Sequence, residues 1–64
     1  MAASIILDGK KMSVDNGVTI ESAMISAGRH PDAFIFLRSG RPIPMTTVLT
    51  DGDIIEAIRV ASGG

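Results

Sequence analysis

Ser62, Gly63 and Gly64 are the last residues of this 64-residue sequence. Glycine has no Cβ, so two successive glycines can thread a channel that any side chain would block. A carboxylate on Gly64 would be the most accessible functional group of the chain. A free carboxylate is a poor acyl donor, because oxide is a poor leaving group. Adenylation by ATP converts it to a mixed anhydride from which AMP departs. That step needs the carboxylate in line with the α-phosphate and a Mg²⁺ ion to offset charge. The other residue types that do chemistry do not assemble such a catalyst. Gly9-Lys10-Lys11 lacks the upstream glycine and following Ser/Thr of a phosphate-binding loop. His30 is the only histidine, stands beside Pro31, and has no evident serine or cysteine partner for a triad. Asp51-Gly52-Asp53 carries two carboxylates in a turn sequence and reads as turn chemistry rather than a metal site. The expectation is therefore a chain that is not itself an enzyme and binds no cofactor or metal. Its Gly64 would be activated by a separate protein that uses ATP and Mg²⁺.

The composition excludes several other classes. With 45% hydrophobic and 20% charged residues, the chain is too apolar to be disordered. Its length holds one domain, expected over residues 1–61, followed by a Ser-Gly-Gly tail at 62–64. There is no cysteine, hence no disulfide and no thiolate metal site. The net charge is −1, and six basic residues scattered along the sequence argue against a nucleic-acid partner. No apolar run is long enough to span a bilayer, and the N-terminal segment lacks the apolar core of a signal peptide. Cytoplasmic residence is the expectation.

The elements that must position the tail follow from turn and periodicity signals. Ile5-Ile6-Leu7 is a short apolar run, and Asp8-Gly9 is a two-residue hairpin signal leading to a return strand over 10–14 with Met12 and Val14 on one face. Thr19 is the expected N-cap of a helix, with Glu21 in its first turn and Ile20, Ala23, Met24 and Ala27 on one face. Gly28 is the expected helix stop. An apolar strand over 33–38 ends at Ser39-Gly40. Pro42-Ile43-Pro44 fits only an edge strand or an extended loop. Thr47-Val48-Leu49 leads to the Asp51-Gly52-Asp53 turn, and the last strand is expected over 54–61. A hairpin, a helix and further strands in this order predict an α+β, β-grasp (ubiquitin-like) fold: a mixed sheet of four to five strands with the helix packed on one face.

Asp51-Gly52-Asp53-Ile54-Ile55-Glu56 followed by Val60-Ala61-Ser62-Gly63-Gly64 resembles the ending of the ubiquitin-like sulfur carrier family. That family includes the small subunit of molybdopterin synthase, the thiamine sulfur carrier and the small archaeal ubiquitin-like modifiers. Phe36-Leu37-Arg38-Ser39-Gly40 resembles its third strand and turn, where Asn-Gly is more usual. Arg59-Val60 stand where the molybdopterin subunit often has paired prolines. The resemblance implies an adenylating enzyme of the ubiquitin-activating type as partner, with Ser62 and Gly63 entering its active site. A sulfur donor would then leave a thiocarboxylate on Gly64 for transfer to an acceptor enzyme, such as a synthase subunit, in molybdopterin, thiamine or tRNA thiolation. The alternative outcome is a protein modifier whose Gly64 forms isopeptide bonds with target lysines, and a further alternative is a non-catalytic β-grasp binding module. Lys10 or Lys11 could accept a modifier, but nothing local selects them.

The family register places Phe34, Phe36, Ile55 and Ala57 toward the helix. Alternation then puts Ile35, Leu37, Ile54 and Ile58 on the opposite face as a partner-docking surface. A slip of one residue would invert every one of these positions. Beyond Val60, four extended residues reach about 13 Å. Fixing each costs roughly 1–2 kcal/mol, and a bare tail has few atoms to offset that, so the folded body is expected to supply the docking area.

Overall fold

Asp8 and Gly9 both adopt positive φ (52° and 77°), as a type I′ turn requires, and fold β1 (Ala3–Leu7) back onto β2 (Lys10–Val14). A computed structural model describes residues 2–60, and all structural statements below concern those residues. The remaining elements are α1 (Ile20–Ser26), a 3₁₀ turn (Pro31–Ala33), β3 (Phe34–Arg38), β4 (Arg41–Ile43) and β5 (Ile54–Arg59). A second positive-φ pair, Ser39 (53°) and Gly40 (77°), joins β3 to β4. The five strands form one mixed sheet in the order β2-β1-β5-β3-β4. β1 and β5 run parallel at its centre, in the register Ser4↔Ile54 to Leu7↔Ala57, and every other pairing is antiparallel. The fold is α+β and β-grasp-like: two hairpins flank a parallel central pair, and one helix covers one face.

The helix begins where the sequence signals it. The Thr19 hydroxyl accepts the Ser22 N–H at 3.1 Å. Two further N–H groups of the first turn find loop carbonyls: Ile20 donates to Thr47 at 3.0 Å and Glu21 to Met45 at 2.9 Å. The helix N-terminus thus leaves no first-turn donor to solvent alone. Its end is a Schellman arrangement. Gly28, at φ 76°, donates to the Ile25 carbonyl, and Arg29 donates to that of Met24, each at 2.9 Å. This stop comes one residue early for the expected apolar face. Ile20, Ala23 and Met24 are buried, but Ala27 is the C-cap and is exposed, because the chain has already left the helical path.

The core comprises Ala3, Ile5 and Leu7 of β1, Ile20, Ala23 and Met24 of α1, Phe34 and Phe36 of β3, Ile55 and Ala57 of β5, and Leu49. No polar side chain is buried with them. The segment 44–53 is the part of the fold that the sequence signals least. It straps the helix N-terminus to the sheet. Gly17 donates to Leu49 at 2.7 Å, Leu49 donates to Val18 at 2.8 Å, and Thr19 and Val48 form an isolated antiparallel bridge. Leu49 is 1% exposed, so the strap inserts a full leucine into the core.

The last strand also ends before the expected residue 61. β5 stops at Arg59, opposite Phe34, because β3 begins there and β1 has turned away at Leu7. Val60 makes one more backbone bond, donating to Ala33 of the 3₁₀ turn at 2.9 Å. Leu49→Ala removes the buried anchor of the strap, and the expected loss is about 2–4 kcal/mol. Urea denaturation followed by circular dichroism checks this; a loss under about 1 kcal/mol would show that the strap is peripheral.

Candidate functional site

The face of the sheet turned away from α1 is built by strand alternation. β5 supplies Ile54, Glu56 and Ile58, β3 supplies Ile35 and Leu37, and β1 supplies Ser4 and Ile6. Ile35 pairs with Ile58, Leu37 with Glu56, and Ile6 with Glu56 from the other side. Ile35, Ile54 and Ile58 are about half exposed, at 47%, 52% and 46%, while Leu37 and Ile6 are half-buried among them. The alternate positions Phe34, Phe36, Ile55 and Ala57 are in the core. The four docking-surface residues expected from the sequence therefore lie together on one uncovered face. Ile6 and Glu56 join them and were not singled out. Glu56 sits at the centre of the apolar surface, so an occupant that covers it must bring a cation or a donor to its carboxylate.

The end of β5 is held from both sides. The Arg59 guanidinium donates to the Asp8 carboxylate at 3.1 Å and lies 5.4 Å from the centre of the Phe34 ring. Asp8 and Arg59 are both exposed, which keeps their ion pair to roughly 0–1 kcal/mol. Together with the Val60–Ala33 bond, these contacts fix where the chain leaves the sheet. A shallow cavity of about 340 Å³, lined by Ile6, Glu56, Ile58 and Arg59 with Asp8, Gly9 and Ala57, opens where β1 has turned off and β5 continues. Ser62, Gly63 and Gly64 lie outside the described residues, as does the expected domain end at Ala61.

The remaining candidates settle into structural roles or regroup. One oxygen of Asp53 accepts the Thr50 N–H and the Thr50 hydroxyl, both at 2.8 Å, and the Arg38 guanidinium at 3.0 Å. The Asp53 N–H in turn donates to the Thr50 carbonyl at 3.0 Å. This is the turn chemistry expected of Asp51-Gly52-Asp53, and it sets up the start of β5. The Thr50 backbone bond is the largest of the influences that hold the Asp53 carboxyl below its ordinary 3.8; burial opposes it, and the Thr50 hydroxyl and Arg38 add to it. Among the described residues, no group of three or more His, Asp or Glu side chains is arranged around a metal position. His30 precedes the 3₁₀ turn and shares a cleft with Arg29, Phe34 and Arg59 that no hydroxyl side chain lines. The basic residues are less scattered than the sequence order suggests. Lys10, Lys11 and Arg29 line one cleft of about 300 Å³ with Leu7, Asp8 and Met12, because the β1–β2 hairpin and the helix C-terminus converge there.

Comparison of the chain with protein-family models and with curated proteins finds no match. Among the described residues, no helix is long and apolar enough to cross a membrane.

Because the folded state lowers the Asp53 pKa, its stabilising contribution is complete above the ordinary carboxylate value and is lost as pH falls through the folded value. Asp53→Ala is therefore expected to cost stability near neutral pH and progressively less as the solution is acidified below about pH 4. Urea midpoints of both proteins across that range check this. A gap between them that stays constant with pH would show that the carboxylate charge plays no part.

Proposed function

We propose that the chain is a carrier whose working atom is the acyl carbon of Gly64, activated by adenylation and then loaded with sulfur. The observation that carries this reading is the pairing of a diglycine at 63–64 with a β-grasp-like body that leads into it from its central strand. The resemblance of the stretches 51–56 and 60–64 to the sulfur carrier family supports the same reading.

The Gly64 carboxylate oxygen attacks the α-phosphorus of ATP, a P–O bond forms, and pyrophosphate leaves. The partner enzyme supplies Mg²⁺ and the phosphate-binding groups. A sulfur nucleophile at the oxidation level of sulfide then displaces AMP, leaving a thiocarboxylate on Gly64. A lysine amine attacking the same acyl-adenylate, directly or through an enzyme thioester, would give an isopeptide bond instead. Both products share the first step, so activation at Gly64 is the core of the reading.

The chain's own contribution is delivery. Gly63 and Gly64 keep the approach narrow, and Arg59 and Val60 fix the exit point. The uncovered face around Ile35, Leu37, Ile54 and Ile58 offers the adenylating enzyme an apolar docking surface beside that exit. The body matters energetically, because ordering the last four residues costs about 4–8 kcal/mol by itself. Covering Ile35, Ile54 and Ile58, each already about half buried, contributes about 0.7–1.5 kcal/mol apiece, roughly half of that cost.

Protein isolated from its native cells is expected to contain a species heavier by the difference between sulfur and oxygen, with fragmentation placing the change at Gly64 rather than on a methionine. A Gly-Gly remnant on lysines of other proteins would identify conjugation as the outcome. Neither mark on any fraction of the protein would overturn the reading. Ile58→Asp is expected to keep the circular dichroism spectrum while reducing the ATP-dependent loading of Gly64 at least about tenfold. Loss of the folded spectrum would instead assign Ile58 to the core.

A further inference from the structure

The two edges of the sheet are not equivalent. The Asp8-Gly9 turn is closed by the Leu7↔Lys10 pair, which exchanges hydrogen bonds in a two-residue hairpin. Ile5↔Met12 and Ala3↔Val14 are then the next bonded pairs, so Lys11 and Ser13 direct their N–H and C=O groups away from β1. Among the described residues, no backbone partner meets those groups. On the opposite edge the same count from the Arg38↔Arg41 pair makes Pro42 the outward-facing residue of β4. Proline has no N–H to offer, and that edge is closed to strand addition. β2 is the open edge.

Two cavities lie at the ends of β2. At its far end, a notch of about 100 Å³ is lined by Val14, Val18 and Ala23 with Asp15, Ser22 and Ser26, between the strand and α1. At its hairpin end is the cleft lined by Lys10, Lys11 and Arg29. Met12 and Val14 lie half-buried along the same side of the strand. The five residues of β2 span about 17 Å, the length of a five-residue extended peptide.

We propose that the β2 edge binds an extended segment of a partner protein as a sixth strand. The segment carries carboxylates at the end that meets Lys10, Lys11 and Arg29, and valine or isoleucine at the end that meets Val14, Val18 and Ala23. Charge selects this occupant. The only acidic side chain in the basic cleft is Asp8, and it is already bonded to Arg59. A second copy of β2 is a poorer occupant, because antiparallel pairing would bring a single acid, Asp15, to the three cations of the cleft and set two more lysines against the apolar end. The site is separate from the open face around Ile35 and Ile58 and does not rest on the carrier reading.

The test is an NMR titration of the ¹⁵N-labelled protein with a synthetic hexapeptide, two glutamates followed by alternating valine and isoleucine. Saturable shifts are expected at the Lys11 and Ser13 amides and around Val18 and Ala23, with slowed hydrogen exchange at Lys11 and Ser13. Methylating alternate amides of the peptide gives two analogues. One should bind as the parent does and the other not at all, because only one set of peptide N–H groups faces the protein. Lys10→Glu with Lys11→Glu should weaken the glutamate peptide about tenfold and favour a lysine-headed version. Ser13→Pro, which places proline outward as Pro42 is, should fold and fail to bind. The proposal is overturned if shifts map to Ile35, Ile54 and Ile58, or if both methylated analogues bind alike. Protection of Lys11 and Ser13 by dimerisation without peptide would also overturn it.

Discussion

The parallel pairing of β1 with β5 is the constraint on which the rest of this small protein depends. Its partners, Ser4↔Ile54 through Leu7↔Ala57, are separated by about 50 residues of chain, so nothing local can form it. Parallel strands need a crossover, and here the crossover contains the helix, the β3–β4 hairpin and the 44–53 strap. Those parts are individually weak. α1 has only seven residues, too short to persist alone in water, and β4 has three. The central pair gives them a common surface, and Ile5 and Ile55, paired across it, are both fully buried. The strap completes the arrangement by lending the Met45 and Thr47 carbonyls to the helix N-terminus and Leu49 to the core.

The same constraint decides what is left uncovered. A seven-residue helix is about 10 Å long and can shield one face of five strands but not two. The other face of the central strand therefore meets solvent with Ile54, Glu56 and Ile58 in a row. β5 outlasts β1 by two residues, and in that overhang Arg59 reaches Asp8 while Val60 bonds to Ala33. An apolar face, a fixed exit and a glycine pair beyond it are the parts that the proposed carrier would use, the face to dock and the end to react. The proposed strand-binding edge, β2, lies one strand beyond β1, and its free backbone groups point away from the open face.

Much of this was legible because turns are local chemistry. Asp8-Gly9, Thr19, Gly28 and Ser39-Gly40 each mark a boundary that holds in three dimensions to within a residue. Pro42 marks its strand as an edge for a covalent reason, the missing N–H. The strap was opaque, because Thr47-Val48-Leu49 has no periodicity and its hydrogen bonds go to residues some thirty positions away. Ala27 fits the helical spacing, but the Gly28 stop removes it from the face. The open face was readable in register, yet the placement of Ile6 and Glu56 within it needed the parallel pairing, which strand periodicity does not encode. The gathering of Lys10, Lys11 and Arg29 likewise depends on how the hairpin meets the helix end.

Whether the acyl carbon of Gly64 is the reacting atom can be decided by trapping it. The labelled protein is incubated with an extract of its native cells, ATP and hydroxylamine, and its C-terminal peptide is weighed. An adenylate or thioester formed at Gly64 is intercepted as the hydroxamate, with AMP or thiol released. A hydroxamate on Gly64 is expected, one that requires ATP and disappears in Gly63→Val. A C-terminal peptide left unchanged, in an extract that forms hydroxamate on a known adenylated carrier, would contradict the carrier reading.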